Sequence, residues 1–401
     1  MRHILLILAL AVAAAGAPII APPLAAQKSG KPVPRPKLRD VTDTNDAQAY
    51  YDAGMQAFRD DPGYAADAFY WAARLNPGWA EPLYARRAAI LAQRRTLLNA
   101  LMSGNRRSRD LRALDSLQLK AYMLNPFVYR RLDNQLFLTW LTDGNRQAQA
   151  QLAHEINVAI SQSPTSIKAW FAYSQGNFER ALKNYADAIE HEKETAYLHL
   201  ERGRIFGMRN DVTSAVNEFQ KAIEQLRTKD EKSLVVLYDS KAMAEFCIAT
   251  LLEGAGEAQK AKEAYGRALQ EDLSYYPAHM RLGLLALGQG DTATAVSELA
   301  MAAEIAPTDP FIRYMNGYVL GRAKRVPESV TELTKAIELE PTFALPHLVI
   351  ATQYEALAKG PEAIAAYERF LRTASTRDAQ RQFATERLAD LKTLVNAPKT
   401  E

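Results

Sequence analysis

Cysteine, histidine and net charge are all scarce in this 401-residue chain, and each scarcity removes a class of function. Cys247 is the one cysteine, so no disulfide can form within the chain and no paired-cysteine redox or zinc motif exists. It stands in a helical pattern beside Phe246 and Ile248, where a buried structural thiol is expected. Of the six histidines, His154 and His191 each precede a glutamate, yet neither has a second histidine at the spacing a zinc-binding helix needs. No HExxH, GxSxG or phosphate-loop pattern occurs, and Gly283, Gly288 and Gly290 are not followed by Gly-Lys-Ser/Thr. No carboxylate pair suggests acid–base chemistry. The expectation is a protein that is not an enzyme and uses neither metal nor cofactor. The formal charge of +3 is unremarkable, and no nucleic-acid partner is expected. Charge is unevenly placed, however: Arg86 to Arg131 holds eleven Lys or Arg against two Asp.

What the chain does have is an internal repeat. Gly283, Ala295, Leu299, Ala302 and Pro307 return 34 residues later as Gly317, Ser329, Leu333, Ala336 and Pro341. Apolar residues three and four apart on both sides of a polar turn predict two helices in hairpin. Asp291, after Gly288-Gln289-Gly290, is placed to cap the second helix through backbone N–H groups. Gly283, Ala295 and Ala302 are small where two helices must approach closely, and Pro307 ends the second helix.

This period and these residues resemble the tetratricopeptide repeat. A lone hairpin cannot bury its apolar face, so the resemblance implies an all-α, right-handed superhelical solenoid of stacked hairpins. About nine copies are expected between Asp46 and Ser375. The resemblance is strongest from Glu194 to Tyr367, and residues 165–375 are expected to form the regular solenoid. Residues 46–164 are expected to be divergent hairpins with a long basic insertion: one hairpin from Leu83 that does not close until Pro126, and a third from Phe127 to Pro164. Residues 376–401 are expected to give a capping helix and tail, with Phe383, Leu388, Leu391 and Leu394 covering the last hairpin.

The N-terminal stretch is of another kind. Arg2 and His3, an apolar run from Ile4 to Ala15, and small residues ending in Leu24-Ala25-Ala26 predict a secretory signal over residues 1–26 and export to the periplasm or cell envelope. The run is short for a membrane span, Gly16, Pro18, Pro22 and Pro23 interrupt it, and the absence of a following cysteine excludes lipid attachment. Residues 27–45, rich in Lys, Arg and Pro, are expected to be a disordered basic linker.

Two surfaces are candidates for binding. On the first helix from Phe311 to Leu320, Arg313, Gly317 and Leu320 face one way while Phe311, Tyr314 and Tyr318 face nearly opposite. Met243 and Phe246, Met280 and Leu284, and Leu345 and Leu348 continue that second face on neighbouring copies, with Arg322 available for polar contact. In proteins the chain resembles, first helices line a concave surface that holds peptides or partner helices. The resemblance therefore implies a scaffold or adaptor binding a protein or peptide of the cell envelope in that groove. The competing reading is that the chain fills the groove itself, with its long Arg-rich hairpin or by deep first-helix packing. The second candidate is Arg94, Arg95, Arg106, Arg107 and Arg109, for an anionic envelope polymer, lipid headgroup or membrane surface. His199, His279 and His347, each four residues before a small residue, are expected to be packing residues, and Glu298, Glu304, Glu332 and Glu338 to form a solvated face.

Overall fold

In a computed structural model of the protein, the described residues are 33–38, 41–94, 109–127, 164–192, 195–228 and 240–396. Among them the regular structure is all helical. The first hairpins are α1 (Ala47–Ala57) with α2 (Pro62–Leu75) and α3 (Glu81–Gln93) with α4 (Arg109–Leu124). The regular copies follow as α5 (Thr165–Ser174) with α6 (Phe178–His191), α7 (Ala196–Met208) with α8 (Val212–Thr228), and α9 (Lys241–Gly254) with α10 (Ala258–Glu271). Then come α11 (Tyr276–Gly288) with α12 (Thr292–Ile305), α13 (Pro310–Arg322) with α14 (Val326–Leu339), and α15 (Ala344–Ala356) with α16 (Gly360–Thr373). A single helix, α17 (Arg381–Asn396), closes the series. The described residues thus hold eight hairpins. The expected hairpin from Phe127 to Pro164 lies almost wholly outside them. None of the described helices is long and apolar enough to cross a membrane, and the expected signal segment also lies outside the described residues.

One contact sets the geometry of the hairpins. A glycine on the first helix meets a large side chain sixteen residues on: a Cβ on Gly203 would lie 3.0 Å from the Phe219 ring, and one on Gly283 2.9 Å from Leu299 Cγ. At Gly317 it would lie 2.7 Å from Leu333 Cγ and 3.1 Å from the Leu333 backbone nitrogen, so neither side chain nor helix has room to yield. Phe219, Leu299 and Leu333 are in turn fully buried.

The turns between helices also repeat. Gly176, Gly256 and Gly290 adopt φ of 76°, 80° and 82°, and the later copies force Lys324 and Ala358 into the same left-handed region at 61° and 55°. Asn177, Asp211 and Asp291 then cap α6, α8 and α12 by accepting from the backbone N–H three residues on, at 3.0–3.1 Å. Arg325 and Lys359 hold the capping position of α14 and α16 without a side-chain bond, and there Pro327 and Pro361 near the helix start carry no N–H to satisfy.

In two of the copies where the large residue is tyrosine, a glutamate twelve residues earlier accepts from its hydroxyl; in α6 the large residue is Tyr185 and that earlier position is Tyr173. Tyr265 donates to Glu253 at 2.6 Å, and Tyr367 donates to Glu355. The same position before Phe219, Leu299 and Leu333 is Gly207, Leu287 and Gly321, with no carboxylate to satisfy.

By contact the chain forms two compact units. One contains Gly54–Phe69 and Trp79–Leu273, and the other contains Tyr70–Gly78, Ser274 onward and the described residues up to Ala53. In the second unit the core of α15 and α16 is completed by α17, through Ala384, Leu388 and Leu391. Phe383 only lays its ring edge-on to Tyr367 at 6.4 Å, and Leu394 is 70 % exposed, so the expected cover is narrower than four residues. Arg387 to Glu355 and Lys392 to Glu368, the latter at 2.8 Å, fix the helix in place.

Gly317→Ala is expected to lower stability by ~1–3 kcal/mol through overpacking against Leu333. Gly266→Ala, inside α10 with open space around the added methyl, is expected to raise it by ~0.5–1 kcal/mol. Shifts of opposite sign in urea unfolding midpoints check the pair.

Candidate interaction surface

The two-faced first helix is clearest at α13. One side packs on α14, with Gly317 against Leu333 and the Arg313 guanidinium 2.8 Å from Glu332. The opposite side carries a ladder of aromatic rings: Phe311 to Tyr314 at 6.3 Å and Tyr314 to Tyr318 at 6.4 Å. Tyr314 also meets the edge of Phe343, just before α15, at 5.1 Å. All three rings of the ladder are half-buried. Burial, with a smaller contribution from Tyr318, pushes the Tyr314 phenol up to about 12.

The remaining expected groove residues divide. Leu284 is half-buried and packs in the same cluster as Phe311, Leu345 is half-buried, and Arg322 is exposed. Met280 and Leu348 are buried in the cores of their hairpins. In the other unit Met243 and Phe246 are 1 % and 2 % exposed, so they are core and line no accessible face. The reason is that α9 is apolar nearly all round, and such a helix is buried on every side. The ring of Phe246 packs on Tyr265 at 5.6 Å.

Beside the ladder lies the chain itself, in a segment that sequence reasoning missed. Gly78 sits so close to Phe311 that a Cβ there would be 2.8 Å from the ring. Four residues earlier, Arg74 forms a two-pronged pair with Glu340, both bonds 2.8 Å. Glu340 is only 8 % exposed and also accepts from the Thr342 hydroxyl at 2.6 Å. The competing reading filled the groove with the long basic hairpin or with first-helix packing; among the described residues the part of the chain that lies beside Phe311 is instead the end of α2 and Gly78. A signal was present: Glu340 stands where the preceding copy has Ala306, an acid at a helix end that needs a cation.

The buried histidines form a second pattern. His199 Nδ1 is 2.7 Å from Glu218, and His279 Nδ1 is 2.7 Å from Glu298, each bridging the helices of one hairpin across nineteen residues. Arg313 and Glu332 occupy the same spacing in the next copy. Glu298 and Glu332 are therefore bridge partners and not the solvated residues expected, while Glu304 and Glu338 are exposed. Burial raises the Glu218 carboxyl, but the His199 hydrogen bond and the charges of Arg202, His199 and Lys221 outweigh it and hold the group below its ordinary value. In the last copy the position nineteen residues after His347 is Ala366, and His347 Nε2 has no hydrogen-bond partner among the described residues.

Among the described residues no group of three or more His, Cys, Asp or Glu is placed to hold a metal ion, and Cys247 is buried. Of the basic candidates, Arg94 is exposed at the end of α3 and Arg109 begins α4, while Arg95, Arg106 and Arg107 lie outside the described residues.

Burial, then the positive charge of Arg369, lowers the His347 ring from 6.5 to about 4. Between those values the unfolded chain carries a proton that the folded chain lacks, so acidification favours unfolding. Stability is expected to fall as pH drops from about 6.5 to 4, and less steeply in His347→Leu; urea unfolding across that range measures the difference in slope.

Residues 168–231 and 248–310 match the family model described as tetratricopeptide repeat. No curated protein sequence matches the chain. Among solved structures, YrrB, described as a TPR protein with an unusual peptide-binding site, is 17% identical, with 52% of this chain and 100% of that chain covered at a TM-score of 0.42. The C-terminal part of a TPR repeat-containing protein from Cytophaga hutchinsonii is 19% identical, covering 57% and 88% at 0.46. MamA from Desulfovibrio magneticus RS-1 is 15% identical, covering 44% and 94% at 0.39.

Proposed function

We propose that the chain, whose residues 168–231 and 248–310 match the tetratricopeptide repeat, is an exported protein-interaction scaffold that holds a protein or peptide of the cell envelope against the first helices of its C-terminal hairpins. The observation that carries this reading is the ladder of Phe311, Tyr314 and Tyr318: three adjoining rings, half-buried, on the side of α13 that its own hairpin does not use. Aromatic residues in such a row are the usual anchors of an interface, because each buries a large area with few rotatable bonds. Leu284 and Leu345 extend the apolar strip on α11 and α15, and exposed Arg322 adds a charged rim. The partner shares this face with the chain's own Gly78, which narrows it at the Phe311 end.

Export rests on the basic, apolar and small-residue succession of residues 1–26. The secreted chain is expected to begin at Gln27, and the intact mass of protein recovered from a periplasmic fraction checks it; a mass retaining Met1 overturns it.

The partner is tested by capture from envelope extract, comparing the parent with a Phe311→Ala, Tyr314→Ala, Tyr318→Ala variant of unchanged helicity. A protein retained by the parent in high salt and lost by the variant is the expected result, since apolar contacts survive the screening that weakens exposed charge pairs. Equal retention by both removes the ladder from the interface. If the triple variant unfolds, Tyr318→Ala alone is used, with a weaker retention expected.

A further inference from the structure

The stretch expected to be a structureless linker is held in a slot. Among its described residues there is no helix, and Pro34 and Pro36 fix their own φ while keeping Val33 and Arg35 extended. The Trp71 indole N–H donates to the Pro34 carbonyl at 3.1 Å. The Arg35 guanidinium lies 4.8 Å from the centre of the Trp71 ring and 5.4 Å from that of Tyr50. Its Nε donates to the Tyr50 hydroxyl at 2.9 Å, and one terminal nitrogen donates to Asn45 Oδ1 at 3.2 Å and to the Thr44 carbonyl.

The walls of this slot are fixed by bonds that do not involve the segment. Tyr50 is 1 % exposed. The Asn45 side-chain amide is turned by donating to the Arg372 carbonyl at 2.8 Å, which leaves its oxygen for the arginine. Asp43, two residues before, accepts from the Ser375 hydroxyl at 2.8 Å and from the Thr376 N–H and hydroxyl at 2.6 and 2.9 Å. Burial raises the Asp43 carboxyl, but those donors, Ser375 first, together hold it below its ordinary value. Trp71 is stacked under Arg74, 4.6 Å from its ring centre, and Arg74 is clamped on Glu340. The walls are therefore held by bonds of their own, and a wall fixed without its ligand is the condition under which a short peptide loses least on binding.

An indole N–H on a polyproline carbonyl, beside an aromatic slot that takes the neighbouring cation, is the chemistry by which extended proline-rich peptides are read. We propose that Thr44, Asn45, Tyr50 and Trp71 form a binding site for extended Pro-Arg-Pro segments, that residues 33–38 are its resident ligand in cis, and that the same sequence in trans exchanges with them. This site is separate from the aromatic ladder of α13. A tethered ligand competes at roughly millimolar effective concentration, so the site is masked while the segment is intact.

The test is fluorescence anisotropy of a labelled peptide copying residues 31–38, titrated into the parent chain and into Arg35→Ala. Binding to Arg35→Ala at least about tenfold tighter than to the parent is expected, because the cis competitor has lost its anchor. Binding is expected to be lost when the peptide carries alanine for its arginine, and weakened several-fold when Trp71→Phe, which keeps a ring but no N–H, is added to Arg35→Ala. Circular dichroism confirms folding of each variant; if Trp71→Phe unfolds, Tyr50→Phe replaces it with the same expectation. No saturation of Arg35→Ala at millimolar peptide, equal affinity for parent and variant, or indifference to the peptide's arginine each overturns the proposal.

Discussion

The spacing between the two helices of a hairpin is set by one small residue facing one large one, and the rest of the structure follows from that spacing. With no side chain at Gly203, Gly283 or Gly317, the second helix comes close enough for Phe219, Leu299 or Leu333 to be fully buried. Close approach brings polar groups within reach as well, which is why His199 and Glu218, His279 and Glu298, and Arg313 and Glu332 bridge the same pair of helices at equivalent positions. It also uses up one side of each first helix. Whatever apolar residues the other side carries must find neighbours elsewhere, in the next hairpin, in another part of the chain, or in another molecule.

At the C-terminal hairpins the chain answers part of that demand itself. Glu340 is a buried carboxylate at a helix end, and Arg74 supplies the guanidinium without which it would be stranded. Gly78 reaches Phe311, Pro34 is held by Trp71, and Asp43 is held by Thr376. Residues distant in sequence thus converge on a few hairpins, and they do so mainly through directional polar bonds to side chains that are themselves fixed. Such contacts specify register and orientation. The apolar ladder contributes area in exchange, and the two together make a surface with distinct polar and greasy ends.

Much of the fold was legible because the repeat is local: a period, a small residue, a capping acid and a proline are all read within one copy. Asp291 capping α12 and the tight fit at Gly283 are of this kind. What the sequence concealed is non-local. Nothing near Arg74 in the chain points to Glu340, and nothing in a Lys- and Pro-rich stretch announces that Trp71 will hold Pro34. The groove was misjudged for a related reason. Met243 and Phe246 share a helical face with the ladder residues by spacing, yet α9 has apolar neighbours on all sides where α13 does not, and only the surroundings distinguish them. The bridging glutamates illustrate the same limit, since Glu298 and Glu304 are both second-helix carboxylates by sequence while only Glu298 has a histidine opposite.

The tyrosine–glutamate pairs make the hairpins less alike than their common pattern implies. Tyr265 with Glu253 and Tyr367 with Glu355 join a choice made on the second helix to one made twelve residues earlier on the first. Copies with Phe219 or Leu333 have settled both positions the other way, with glycine at the earlier one. Moving one helix between copies would strand either a phenol or a carboxylate. The copies are therefore not interchangeable cassettes: the smallest unit that can be shuffled, averaged into a consensus or duplicated without separating these pairs is the whole two-helix hairpin.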